Sequence, residues 1–201
     1  MSNNFASALG QLRGLKRRLD SDQSLKQRYS DTIASDLKKG YVSILSSDEL
    51  AETSNQPVWY LPHHPVLNPH KPDKVRRVCS AASKFRGHSL NDMLLAGPDL
   101  LASLMGILAR FRENRYALSA DIEEMFLQVE VRPVDRQFLR FLWFDESDRI
   151  VTYQCTIVTY SGRNHLQHVQ TLLCKDVLLT TQMDMSEQVT LPAIISTWTI
   201  C

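Results

Sequence analysis

Tyr116-Ala-Leu-Ser-Ala-Asp121-Ile-Glu-Glu-Met-Phe126-Leu-Gln-Val-Glu-Val131 is the stretch that decides the fold. An apolar run, Tyr116 to Ala120, carries one carboxylate at its far end, Asp121. A tight turn follows, and then Leu127, Val129 and Val131 alternate with Gln128 and Glu130, the period of a half-buried strand. Asp121 is therefore expected where a buried strand leaves a sheet, a position at which ligands and metals gather. Phe126 can turn back toward the same spot.

Outward from this stretch, Phe138 to Phe144 and Ile150 to Val158 read as two strands. Asp145-Glu-Ser-Asp148 is the hairpin turn between them. On the other side, Gly97-Pro-Asp99 opens a helix with a buried stripe of Leu101, Leu104, Met105, Leu108 and Phe111. Helix and strand together predict an α+β layer. Ser89 to Asp92 turns the chain ahead of it.

Near the N-terminus, Phe5, Leu9, Leu12, Leu15 and Leu19 recur at helical steps, with Lys16, Arg17 and Arg18 on the other side. A second helix is predicted from about Ser24 to Lys39, with the stripe Leu25, Tyr29, Ile33, Leu37 and Tyr41 and with Gly40 as a left-handed cap. These stripes imply packing rather than a partner-binding surface. Ser46 to Pro57 reads as a polar loop, and Val58 to Leu61 as a short strand stopped by Pro62. His63, His64 and His70 do not read as a zinc site: the Pro-rich loop fixes no common face, and no Cys lies at ligand spacing.

The one basic cluster runs from Lys71 to His88: Lys71, Lys74, Arg76, Arg77, Lys84 and Arg86 against Asp73 alone. In Lys74-Val-Arg76 the two cations project from one side of a strand, an arrangement suited to a triphosphate, with Lys as a point charge and Arg as a fork. A solvated hairpin face is the other reading of the same residues.

With 23 basic and 22 acidic residues the formal charge is +1, so only this local clustering bears on a nucleic-acid partner. At 201 residues and 43% hydrophobic content the chain can bury a sizeable core. No apolar run approaches the ~20 residues of a membrane span. No secretory signal follows the basic N-terminal residues. Cys79, Cys155, Cys174 and Cys201 have no close spacing, so they read as isolated thiols of a reducing, intracellular compartment, cytoplasmic or nuclear.

The Asp121 stretch resembles the first catalytic motif of reverse transcriptases. Tyr60-Leu-Pro-His-His-Pro-Val66, Asn68-Pro-His-Lys-Pro-Asp-Lys-Val-Arg76, Ala81-Ala-Ser-Lys-Phe85, Gly87-His-Ser-Leu-Asn91, Gly97-Pro-Asp-Leu-Leu101, Arg110-Phe-Arg112 and Leu139-Arg-Phe-Leu-Trp143 extend the resemblance to the polymerase of BEL/Pao-type LTR retroelements. It runs from roughly Leu12 to Ile157. It implies a partial fingers and palm, an antiparallel sheet with helices on one face. The implied boundaries are an N-terminal helical region and linker at 1–57, the fingers and palm at 58–158, and a tail at 159–201.

The resemblance further implies an RNA or DNA template-primer and a deoxynucleoside triphosphate as partners, and Mg2+ as cofactor. The Asp121 carboxylate and the Ile122 backbone carbonyl would be metal ligands. Lys74 and Arg76 would hold the incoming nucleotide, and Phe126 would stack under its sugar and exclude a 2′-hydroxyl. One departure is local: the family's Val-Phe-Asp is here Val78-Cys79-Ser80.

A larger departure follows Ile157. Two ions ~4 Å apart need several carboxylates, and the family draws two from a later Tyr-x-Asp-Asp hairpin. That motif is absent, as is Phe-Gly-Ala-x-Ser-Ser-Pro, and Asp176 and Asp184 stand in neither context. Joining the last base of each codon to the first two of the next permits Phe-Gly-Ala-Lys-Ser-Ser-Pro from Tyr160 onward and Phe-Tyr-Met-Asp-Asp-Leu from Ile195 to Cys201. A change of reading frame near Val158 is inferred, with a tail from about Thr159 that has no selected fold. The expectation is a polymerase fragment without activity. The alternative is a non-catalytic nucleic-acid-binding module built on the Lys71–Arg86 cluster.

Overall fold

A computed structural model describes residues 3–53, 56–94, 103–113, 124–145 and 147–158, with the backbone alone at 71, 72, 125 and 126. The chain divides into two compact units, Met1–Leu94 with Leu127–Gly162, and Leu95–Phe126 with Arg163–Cys201.

The first unit opens with α1 (Phe5–Asp20) and α2 (Gln23–Lys38). Their stripes bury as the spacing predicts. Ala8, Leu12, Leu15 and Leu19 of α1 and Tyr29 and Ile33 of α2 enter the core, and each full burial of a large apolar side chain is worth about 1.5–3 kcal/mol. Phe5 and Leu37 end half-exposed instead. Asp22 caps α2 through the Leu25 N–H at 2.9 Å. Gly40 takes φ +74°, the left-handed cap that lets Tyr41 N–H reach back to the Asp36 carbonyl.

Beyond the cap the chain enters β1 (Val42–Ile44) and then α3 (Ser47–Glu52). β1 falls where the sequence reading assigns no element, and α3 falls in the segment read as a polar loop. α3 forms because Ser46 and Glu49 make a reciprocal capping box. Two antiparallel sheets follow. One is the hairpin of β2 (His63–Asn68) and β3 (Lys71–Cys79); the other has the order β1-β5-β4, with β4 at Arg140–Phe144 and β5 at Ile150–Cys155. Val58 to Leu61 is buried and runs beside β4 through the Tyr60–Arg140 bridge. The buried Asn4 closes this edge: its side chain exchanges two 2.7 Å hydrogen bonds with the Tyr60 backbone.

The predicted hairpin between Phe138 and Val158 is present as β4 and β5, with Asp145 N–H bonded to the Arg149 carbonyl across the turn. The alternating segment after Phe126 is corrected. Met125–Gln128 is a 3-10 turn and 129–131 form no strand; among the described residues their pairing consists of the Glu130–Ile157 bridge and two flanking bonds, Val131 N–H to Thr156 O and Val158 N–H to Val129 O. The burial still alternates, because period two needs only an extended backbone beside a sheet.

Ser89 starts α4 (Leu90–Met93) with a second capping box, to Asp92. The predicted helix after Pro98 is described as α5 (Leu104–Phe111). Of its predicted stripe Leu104, Met105, Leu108 and Phe111 are 69%, 77%, 44% and 50% exposed, while Leu101 and the predicted opening at 97–99 lie outside the described residues. Spacing selects which face of a helix is apolar; burial requires an apposed surface as well.

Candidate functional site

Lys74 and Arg76 lie on β3, where their neighbour Val75 is buried and both cations are exposed. They share the outer face as predicted. Arg76 stands opposite Val66, but pairing slips between Leu67 and Asn68, so Lys74 falls in an irregular part of the ladder. Neither makes an ion pair among the described residues. Lys84 and Arg86, also exposed, follow on the loop after β3, with the Arg86 guanidinium over the Phe85 ring at 5.4 Å. Elsewhere several cations are paired: Lys16 with Asp148, Lys26 with Asp20, Arg132 with Asp135 and Arg149 with Asp145.

The inner face of the same hairpin is dry. Arg77, 7% exposed at its side chain, pairs with Asp36 of α2 at 3.0 Å and lies over the Phe141 ring at 4.5 Å. Its Nη1 is 3.0 Å from the Cys79 sulfur and 3.9 Å from that of Cys155. Burial acts to lower the Arg77 pKa, but the negative charge at Cys79 and Asp36 outweighs it and the pKa rises. The strand period carries the signal: if 74 and 76 face out, 77 faces in. The shared approach of Cys79 and Cys155 to Arg77 had no such signal; both are free thiols.

His63 settles the histidine question for its own position. Its Nδ1 lies 2.5 Å from the Tyr29 hydroxyl and its Nε2 2.9 Å from the Leu142 carbonyl. The carbonyl can only accept, so Nε2 carries the proton and Nδ1 accepts from Tyr29. Desolvation lowers the His63 pKa to about 3, keeping the ring neutral. Both nitrogens are committed to this relay, while the neighbouring His64 and His70 are exposed.

Neither a protein-family model nor a curated protein matches the sequence. Among solved structures, the chain is similar to the protease–reverse transcriptase of prototype foamy virus, with a TM-score of 0.53 over 77% of this chain and 20% identity. The fold is that of part of a reverse transcriptase. The likeness is one of fold, and this chain spans 18% of the solved one.

Within the reverse-transcriptase fold, the predicted residues separate. Lys74 and Arg76 are described and brought to one face. Asp121 and Ile122 lie outside the described residues. Phe126 falls in the 3-10 turn Met125–Gln128, where its backbone alone is described. Among the described residues no group of three or more His, Cys, Asp or Glu could hold a metal ion. No helix among them is long and apolar enough to cross a membrane.

Proposed function

We propose that this chain is the fingers and leading palm of a retroelement RNA-directed DNA polymerase, of BEL/Pao type, and that it does not catalyse nucleotidyl transfer as written. The supporting observation is the coexistence of a reverse-transcriptase fold with an incomplete donor set. The sequence supplies Asp121 at the first motif and no Tyr-x-Asp-Asp partner. Mg2+, when bound, stabilises the attacking and leaving oxygens of phosphoryl transfer, and it demands oxygen ligands that a single carboxylate and the Ile122 carbonyl do not provide as a pair site. In the intact parent, Lys74 and Arg76 would engage the phosphates of the incoming deoxynucleotide and Phe126 would exclude a 2′-hydroxyl. The reading-frame change near Val158 accounts for the missing acids.

Primer extension tests this reading. With a primed RNA template, deoxynucleotides and Mg2+, the chain as written is expected to give no template-dependent incorporation. A chain restored to the alternative frame after Val158 is expected to give it. Incorporation by the chain as written overturns the proposal.

A second reading is favoured by one feature, the outer cations Lys74, Arg76, Lys84 and Arg86, which make no ion pair among the described residues. They suit a nucleic-acid backbone bound without chemistry.

A further inference from the structure

The buried thiols Cys79 and Cys155 serve neither reading above. Cys79 ends β3 opposite His63, and Cys155 ends β5 opposite Val42, so the two sulfurs meet between strands of different sheets. They are 2% and 0% exposed. Arg77 Nη1 approaches both sulfurs, 3.0 Å from Cys79 and 3.9 Å from Cys155, so one guanidinium nitrogen bridges the two thiols. The two thiols thus share one charged neighbour, the Arg77 guanidinium. A side-chain hydrogen bond with Cys155 and the Arg77 guanidinium favour the thiolate at Cys79 against the cost of burial, bringing its pKa down to about 7. The same hydrogen bond, with burial, holds Cys155 well above its ordinary range. One sulfur is prepared as the nucleophile, and the other remains a protonated resolving partner beside it.

We propose that Cys79 and Cys155 are a modification site, forming a reversible disulfide between β3 and β5 on exposure to a small hydroperoxide. The Cys79 thiolate attacks the terminal peroxide oxygen. The O–O bond breaks, and the leaving alkoxide or hydroxide takes a proton and departs as alcohol or water. Cys79 is then a sulfenic acid, oxidised by two electrons. The Cys155 sulfur attacks the Cys79 sulfur, the S–O bond breaks, and water leaves with the Cys155 proton. Two thiols and one hydroperoxide become one disulfide, one alcohol and one water. Arg77 acts as a positioning residue that favours the thiolate. Because both sulfurs are covered, the oxidant must enter through a local opening of the two sheets, which favours small peroxides over bulky disulfide reagents.

The test uses the full chain with hydrogen peroxide as the probe, followed by alkylation, thiol counting in denaturant and peptide mapping. Of the four cysteines in the sequence, Cys79 and Cys155 are expected to lose their free thiols under native conditions, mapping to one Cys79–Cys155 cross-link that dithiothreitol reverses, whatever oxidation Cys174 and Cys201 undergo. Oxidation of urea-unfolded chain should scatter pairing over Cys174 and Cys201 as well. In Cys155→Ser, Cys79 should be trapped as a sulfenic acid by dimedone; in Cys79→Ser, Cys155 should stay reduced. Intact Cys79 and Cys155 thiols after native treatment, or the same scattered pairing with and without urea, overturns the proposal. The wild-type mapping decides it even where a variant fails to fold.

Discussion

On the hairpin His63–Cys79, neighbouring residues of one kind meet opposite environments. His63 and Arg77 face inward, where each is held by named partners: Tyr29 and Leu142 for the histidine, Asp36, Phe141 and the two thiols for the arginine. His64 and Arg76, one position away, face water. The difference lies in strand period and not in residue type. An inward charge must be paired at the moment of burial and is then fixed by the fold. An outward charge keeps its hydration and stays available to a ligand. Position on the pleat thus separates residues that maintain the structure from residues that could recognise phosphate.

The sharpest way to break this comparison is to substitute the two arginines separately. Arg77→Leu leaves Asp36 without its cation in a nearly dry site, and a loss of about 3–5 kcal/mol is expected on the scale of broken buried pairs. Arg76→Leu should stay within about 0.5 kcal/mol, the usual range for exposed positions. Urea denaturation followed by tryptophan fluorescence reads both. Equal losses would mean that the two faces are not energetically distinct.

A smaller effect is expected from acid. The His63 pKa is lowered to about 3 in the folded chain, against an ordinary value of about 6.5 when unfolded. Between these values the unfolded chain binds the extra proton, so stability rises with pH across the window and is lost as pH falls through it. The slope from this residue approaches about 1.4 kcal/mol per pH unit inside the window. His63→Phe should flatten that slope. It should also cost about 1–3 kcal/mol at neutral pH by leaving the buried Tyr29 hydroxyl without its acceptor. A wild-type chain whose stability is level between pH 6 and pH 4 would contradict the neutral, buried ring.

The same pleat explains what the sequence could and could not disclose. The outward pair Lys74 and Arg76 was legible because period two is a local property. So were α1, α2 and the Gly40 cap, whose spacing and φ requirement are contained within a few turns. β1 is too short to carry a period, and its partner Cys155 is remote in sequence. β2 was obscured by Pro65 and its flanking histidines, whose burial depends on Tyr29 from another element. α3 had a readable signal in Ser46 and Glu49, masked by the polar residues around it. The Cys79–Cys155 contact depends wholly on tertiary placement. The proposed roles of Asp121, Ile122 and Phe126 rest on the resemblance alone, since Asp121 and Ile122 lie outside the described residues and only the backbone of Phe126 is described.

The mildest perturbation addresses the outer face alone. Removing both Lys74 and Arg76 as alanines should leave stability within about 0.5 kcal/mol for each position, because neither side chain makes an ion pair among the described residues. Binding to single-stranded nucleic acid, read by filter retention at two salt concentrations, should respond differently. Removing one cation–phosphate interaction lowers the slope of log affinity against log salt by about 0.7, so the double substitution should flatten it by roughly 1.4 if both cations touch phosphate. The inner-face residues cannot contribute to that slope without first losing their buried partners. A variant with unchanged stability and an unchanged slope would remove Lys74 and Arg76 from any phosphate-binding role. Among the described side chains it would leave Lys84 and Arg86 as the remaining exposed members of the cluster to test.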